Sequence, residues 1–270
     1  MLIDCHAHLT ADAFAADRDV VLARARAGGV AAILVVGEDL ADDRKVAELT
    51  AARPTAAPAL LPCFGFHPDR CAEDRPLPTR ADLDAALQAI RAHASRLAAI
   101  GEVGLDGWVA KTDERRRAQE SLLEELAAVA LELGLPLNVH SRSAGERTLD
   151  LLRAAGARQV LMHAFDGRAI LAVRAADEGY LFSIPPSVVR SPQKQKLVRR
   201  LPLASLALES DAPVLGPDPG QRNEPANLAV TRDYLASVHG VPPEVVEQET
   251  TANALRLFPR LGTVVAATRG

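Results

Sequence analysis

The sequence predicts an α/β fold, and within that class a (β/α)8 TIM barrel, on three observations. Short apolar runs alternate with longer stretches of helical periodicity from one end of the chain to the other. Eight such runs can be distinguished, and eight strand–helix units close naturally into a barrel. No GxGxxG follows the first run, which removes the commonest dinucleotide-binding form of the rival, an open doubly wound sheet.

Taken in order, the first strand is read over residues 2–6 and the first helix over 15–27, closed by Gly28-Gly29. The apolar run 31–36 forms the second strand, and a helix over 39–52 follows, with Pro54 as its stop. The third strand is 59–65; the proline-rich segment 74–79 is a loop, and the helix 80–95 comes next. The fourth strand, 97–101, precedes the clearest helix, 114–133, in which Leu122, Leu126, Val129 and Leu133 recur at three- and four-residue steps before Gly134. Strands at 135–140, 159–163, 180–184 and 206–210 alternate with helices at 144–155, 168–178 and 191–201, two of which end at Gly156 and Gly179. Residues 213–225 form a longer loop. Without repeat, linker or low-complexity tail, residues 1–270 are expected to form a single barrel domain.

A chain of 270 residues can bury a full core, and its 48% hydrophobic and 24% charged shares are those of an ordinary globular protein. Aromatics are only 3%, so the core is expected to be aliphatic. The net charge of −4 does not advertise nucleic-acid binding, although a local basic patch is enough to hold phosphates. MLIDCHAHL lacks the basic and apolar regions of a signal peptide, and no apolar run of about 18 residues suggests a membrane span. Cys5, Cys63 and Cys71 are three cysteines without CxxC spacing, which argues against a disulfide framework or a thiolate zinc site. Reduced thiols and a cytoplasmic location are the expectation. Cys5 stands beside two histidines, but strand alternation should turn it away from them.

The first strand ends in His6-Ala7-His8, and residues two apart on an extended chain share a face, so both imidazoles can reach one ion. HxH alone is weak, but other strand ends supply the same ligand types. Glu102 follows the run 97–101, His140 ends PLNVH, His163 ends VLMH and Asp211 follows LALES. In a parallel barrel all strand C-termini open on one mouth, where residues more than 200 positions apart converge. Imidazole and carboxylate suit zinc, manganese or iron, and also accommodate magnesium. Six ligands exceed the needs of one tetrahedral zinc. Two divalent ions bridged by a carboxylate can generate hydroxide at neutral pH and stabilise both entering and leaving oxygens. With no redox cofactor motif present, hydrolysis is the expected chemistry. Ser141, Ser143 and Ser210 stand near these positions, but no pairing with His and Asp makes a triad.

The strings DCHAHL, GFHP, GEVGLD, NVHSRSAG, HAFDG, LESDAP, RNEPANL and TTANALRLF resemble, in order, the motifs of the TatD-type metal-dependent deoxyribonucleases, from residue 3 to about residue 261. The resemblance implies a TIM barrel with a two- or three-metal site at its C-terminal mouth. His6, His8, Glu102 and Asp211 would hold one ion; Glu102, His140 and His163 would hold the second, with Glu102 bridging. Asp211 would also take the proton from the attacking water, as a carboxylate touching metal and water can. The implied activity is hydrolysis of phosphodiesters in DNA, by 3′–5′ exonuclease or abasic-site cleavage.

In the same terms His67 of GFHP would face the substrate, with a loop histidine fixed by Pro68 as the bland alternative. Arg142, Arg222 and Asn223 are candidates to meet the phosphate; Arg222 is favoured because guanidinium binds phosphate in a bidentate way. Asp4 should share the barrel-facing side of His6, as an orienting or a structural carboxylate. Gly107-Trp108 stands after Asp106 where the family often has an aromatic residue, so Trp108 is either a base-stacking contact or a loop anchor. Lys194 belongs to a basic run, Arg190 to Arg200, read as a solvated helix face. His93 and His239 are read as surface residues. The runner-up function keeps the barrel and the metals but hydrolyses a small-molecule amide, ester or lactone. Many such enzymes bridge their metals through a modified lysine at a strand end, and none stands there here. DNA is the expected partner; the barrel needs no protein partner to bury its core, so a monomer is expected.

Overall fold

In the computed structural model, which describes residues 1–51 and 57–267, the eight strands are β1 (Leu2–Ala7), β2 (Val30–Val36), β3 (Ala59–Phe64), β4 (Ala99–Gly104), β5 (Leu137–His140), β6 (Val160–Met162), β7 (Leu181–Ile184) and β8 (Leu206–Leu208). All neighbours pair in parallel, in chain order, within one sheet. Helices α1 (Arg18–Ala27), α2 (Leu40–Ala51), α3 (Arg80–His93), α4 (Asp113–Leu133), α5 (Gly145–Ala154), α6 (Ala169–Asp177) and α7 (Pro192–Val198) alternate with them. This is the expected (β/α)8 architecture. Pro54, read as a stop signal, lies outside the described residues.

Local chemistry explains several boundaries. Thr79 accepts the Asp82 N–H while the Asp82 carboxylate accepts the Thr79 N–H, a capping box that starts α3. Gly134, at φ 63°, ends α4 in the left-handed conformation that costs glycine nothing. Three helices follow the loop at which the sequence reading stopped: α8 (Leu228–His239), α9 (Pro243–Leu257) and α10 (Pro259–Ala267). Their apolar periodicity is faint because α9 carries Thr250, Thr251 and Asn253 among its buried positions.

Two apolar layers result. Leu2, Ala7, Ile33 and Val35 pack outward against helix residues such as Val21 and Leu22. Ile3, Cys5, Leu34, Cys63, Leu161, Leu181 and Ala207 fill the barrel, and Ala254, Leu257, Phe258 and Leu261 of α9 and α10 join them, plugging the floor. The expected alternation in β1 therefore fails. A register shift between Asp4 and Ala7 places one extra residue opposite β2, so Cys5 faces inward and His6 follows it to the same side. β4 carries a similar shift between Ile100 and Val103, around Glu102 and the cis peptide Gly101–Glu102. Glu102 consequently lies inside its strand rather than beyond its end.

Among the described residues β1 and β8 form no strand ladder. The circle is closed by single bonds instead: Ser210 N–H to Asp4 Oδ1 (2.8 Å), Asp211 N–H to the His6 carbonyl (2.9 Å) and His8 N–H to the Ala212 carbonyl (2.8 Å). Asp4 thus acts on backbone, not on an imidazole. Among the described residues no helix is long and apolar enough to cross a membrane.

Candidate metal centre at the barrel mouth

Glu102, 1% exposed, is the hub of the mouth. Its two oxygens divide the surrounding histidines between them. Oε2 lies 3.3 Å from His6 Nε2 and 3.2 Å from His8 Nε2. Oε1 lies 2.7 Å from His140 Nδ1, 3.2 Å from His163 Nε2 and 3.3 Å from His67 Nε2. Asp211 Oδ1 stands 3.7 and 3.6 Å from the same two nitrogens of His6 and His8. All six residues expected to bind metal therefore meet. Three overlapping sets could each hold an ion: His6, His8 and Asp211; His6, Glu102 and His163; His67, Glu102 and His140.

Close packing of backbone makes this convergence possible. A Cβ on Gly65 would sit 2.4 Å from both the N and the O of Glu102, and one on Gly101 would sit 2.6 Å from Asn138 Cβ. Asp211 (φ 54°) and Ala164 (φ 42°) both adopt the left-handed conformation that non-glycine residues avoid, at or beside a candidate ligand.

Three residues outside the expected site, Asn138, Glu209 and Asp106, orient the rings. Asn138, fully buried, donates to the Cys5 carbonyl (2.8 Å), which turns its Oδ1 toward His6 Nδ1 at 2.9 Å. His6 must then carry its proton on Nδ1 and present the Nε2 lone pair. Glu209 accepts from the Ala164 N–H (2.9 Å) and from the Ser183 hydroxyl, and its Oε2 lies 3.2 Å from His163 Nδ1. Asp106 Oδ2 lies 3.0 Å from His140 Nε2, while its Oδ1 accepts the Trp108 and Val109 N–H groups. Asn138 in NVH and Glu209 in LES each stand two residues before a candidate ligand, the only signal that could have found them.

The donor set fits a cation. His6 Nε2 and His8 Nε2 are only 3.2 Å apart, and Glu102 Oε2 is buried without a hydrogen bond. Lone pairs and carboxylate oxygens facing one another at such distances repel unless positive charge stands between them. Protons answer the same demand. Burial alone would lower the pKa of His163, but Glu209, Glu102 and Asp211 outweigh it and hold the ring well above its ordinary value. Burial likewise opposes charge on His8, and Glu102, Asp211 and Glu38 overcome it. Glu102 is held well below the usual carboxylate range, because His67, His6, His163 and His140 outweigh its burial.

The remaining candidates divide. His67, at the start of the turn Pro68–Cys71, stands between two carboxylates, its Nδ1 3.2 Å from Asp69 Oδ1 and its Nε2 3.3 Å from Glu102 Oε1. Burial works against charge there too, but Glu102 and Asp69 raise His67 to about 10. Arg142 lines the mouth and pairs with Asp106 at 2.7 Å. Burial would raise Asp106, yet its bonds to His140 and Arg142 bring it down to about 2.

Arg222 and Asn223, expected to meet the phosphate, are not among the residues lining the mouth cavity. The Arg222 guanidinium forks onto Asp17 (2.8 and 2.7 Å) and lies over Phe14, joining the loop after β8 to the segment before α1. Asn223 is 1% exposed and donates to the Ser210 and Val214 carbonyls, so it shapes the loop that bears Asp211. Trp108 is 64% exposed with Lys111 over its ring, outside the residues lining the mouth. His93 and His239, read as surface residues, are half-buried. Lys194 also departs from expectation. It is 7% exposed, donates to the Ala164 carbonyl (2.8 Å) and lines a mouth cavity of about 550 Å³. Burial lowers its pKa, with Glu209, Asp166 and Asp211 opposing.

The family model described as TatD related DNase matches residues 3–259. Deoxyribonuclease TATDN3 of Homo sapiens is 46% identical over 264 residues, covering 96% of this chain and 95% of that protein. The metal-dependent hydrolase YabD of Bacillus subtilis is 31% identical over 264 residues, covering 96% and 99%. Among solved structures, the TatD homologue YJJV of Escherichia coli superposes with a TM-score of 0.85 at 26% identity, covering 96% of this chain and 98% of that one.

Proposed function

The chain belongs to the TatD related DNase family, and from that premise we propose that it is a metal-dependent phosphodiesterase that hydrolyses DNA. The observation that carries the reading is the division of ring nitrogens between the two oxygens of one buried carboxylate, Glu102. His6, His8, Glu102 and Asp211 would hold one divalent ion, and Glu102, His140 and His163 a second. Zinc, manganese, magnesium and iron all suit these donors. Such ions, when bound, supply Lewis acidity that lowers the pKa of water and offsets charge on the phosphoryl oxygens.

The chain's own residues do the rest. Asp211 accepts the proton of the attacking water on a carboxylate oxygen, its left-handed backbone aiming the side chain at His6 and His8. Asn138, Glu209 and Asp106 keep the imidazole lone pairs turned inward. His67 offers an N–H into the mouth and Arg142 a cation at its edge. The expected products are those of 3′–5′ exonuclease or abasic-site cleavage.

The test is an assay of metal-stripped protein on end-labelled single-stranded and abasic duplex DNA, with and without Mg²⁺, Mn²⁺ or Zn²⁺. Metal-dependent cleavage that falls by about 10²–10⁴ in Asp211→Asn, with the fold unchanged, supports the reading. Absence of cleavage with the ions demonstrably bound defeats it and points to a small-molecule hydrolase on the same barrel.

A further inference from the structure

The mouth is crowded with acids, yet its proposed substrate is an anion. Glu38, Glu102, Asp106, Asp166 and Asp211 all line it, and Glu209 lies behind. Of the arginine and lysine side chains there, Arg142 is committed to Asp106. Lys194 is not. None of the acids that act on it, Glu209, Asp166 and Asp211, forms an ion pair with it among the described residues. An ammonium has three donors, and among the described residues one of them is used, on the Ala164 carbonyl. Burying a charge with two uncommitted N–H groups is costly unless water or a ligand in the cavity answers them.

The sequence of α7 explains how a lysine comes to be there. Lys194, Leu197 and Val198 stand at i, i+3 and i+4 and form the buried face of the helix. Gln193 donates to the Gly167 carbonyl (2.9 Å), docking the start of α7 on the loop after β6. The solvated residues of the basic run are Arg190, Lys196, Arg199 and Arg200; Lys194 is turned the other way, into the cavity.

We propose that Lys194 is a phosphate-binding residue of the mouth, its free N–H groups donating to non-bridging oxygens of the substrate. The proposal rests on the phosphodiesterase reading for the identity of the anion. Lysine suits the task as a compact charge on a flexible stem, able to follow an oxygen whose position shifts as the phosphorus centre reacts.

Metal-loaded wild type, Lys194→Met and Lys194→Arg are compared in equilibrium binding of inorganic phosphate, in metal content, and in KM and kcat on bis(4-nitrophenyl) phosphate. In Lys194→Met the phosphate Kd and the KM rise by about tenfold or more, as loss of a charge-assisted hydrogen bond implies. Metal content stays at the wild-type value, and Lys194→Arg recovers most of the loss. Unchanged Kd and KM, or no phosphate binding by the wild type, overturns the proposal. So does a loss in Lys194→Met that follows a loss of metal, because Lys194 would then act only through Ala164 on His163. The two readings fail separately. A wild type that cleaves no phosphodiester but loses phosphate affinity in Lys194→Met defeats the function and leaves the Lys194 assignment standing.

Discussion

At the scale of single residues, protonation and ligation compete for the same nitrogens. The carboxylates around His8 and His163 raise both pKa values in the metal-free protein, so each ring tends to hold a proton where a cation would sit. Ligation must expel those protons. Titration of zinc into stripped protein should therefore release protons, read as a calorimetric enthalpy that varies with the ionisation enthalpy of the buffer, and affinity should weaken as pH falls. Buffer-independent enthalpies would contradict the assignment. Glu209→Gln removes the anion behind His163 while keeping its size, and should weaken metal binding by about 10- to 100-fold with little change in the circular dichroism spectrum. At this scale the convergence of the six candidate ligands was legible because His and acidic residues at strand ends have few other reasons to recur. Arg222 and Asn223 misled because a motif string says nothing about which way a side chain turns: one found Asp17, the other two carbonyls.

Elements bring those residues within reach by breaking their own regularity. The register shift between Asp4 and Ala7 in β1 and that between Ile100 and Val103 in β4 fall around His6 and Glu102, so each strand gives up ladder bonds where a candidate ligand swings inward. Gly65, just past the end of β3, accommodates this by leaving room for the Glu102 backbone. Gly65→Ala should lower stability by about 1–3 kcal/mol through overpacking, and should reduce metal occupancy as well. Thermal unfolding with metal analysis checks both, and unaltered occupancy would show that the Glu102 backbone has slack. Strand and helix alternation was legible in the apolar runs, but an inserted residue leaves no trace in hydropathy. Strict period-two reading therefore turned Cys5 away from the barrel interior and left Glu102 beyond the end of its strand. Lys194 escaped for a related reason: a cation at a buried helical position looks like its solvated neighbours until the partner surface is known.

For the whole molecule, the join between β1 and β8 is the place where conditions should tell. Burial outweighs the bonds from Ser210 and His6 and lifts Asp4 from 3.8 to about 7. A carboxyl raised in the folded state favours folding below its unfolded pKa, and that contribution is lost as pH climbs through the folded value. The expected loss between about pH 4 and pH 7 is on the order of 4 kcal/mol in metal-free protein. Asp4→Asn should flatten that part of the pH–stability curve, and a curve of unchanged shape would remove Asp4 from the account. Because His6 and His8 stand on one side of the join and Asp211 on the other, added metal should raise Tm progressively with concentration and chelation should lower it.

The same join sets a clock on synthesis. Asp4 and Ser210 are 206 residues apart, so at about 5–20 residues per second a ribosome delivers the second partner roughly 10–40 s after the first. Throughout that interval the nascent chain carries β1 as a bare strand edge, open to any other extended segment it meets. The helices that plug the floor emerge later still, and β1, the strand that bears His6, waits longest for its second neighbour.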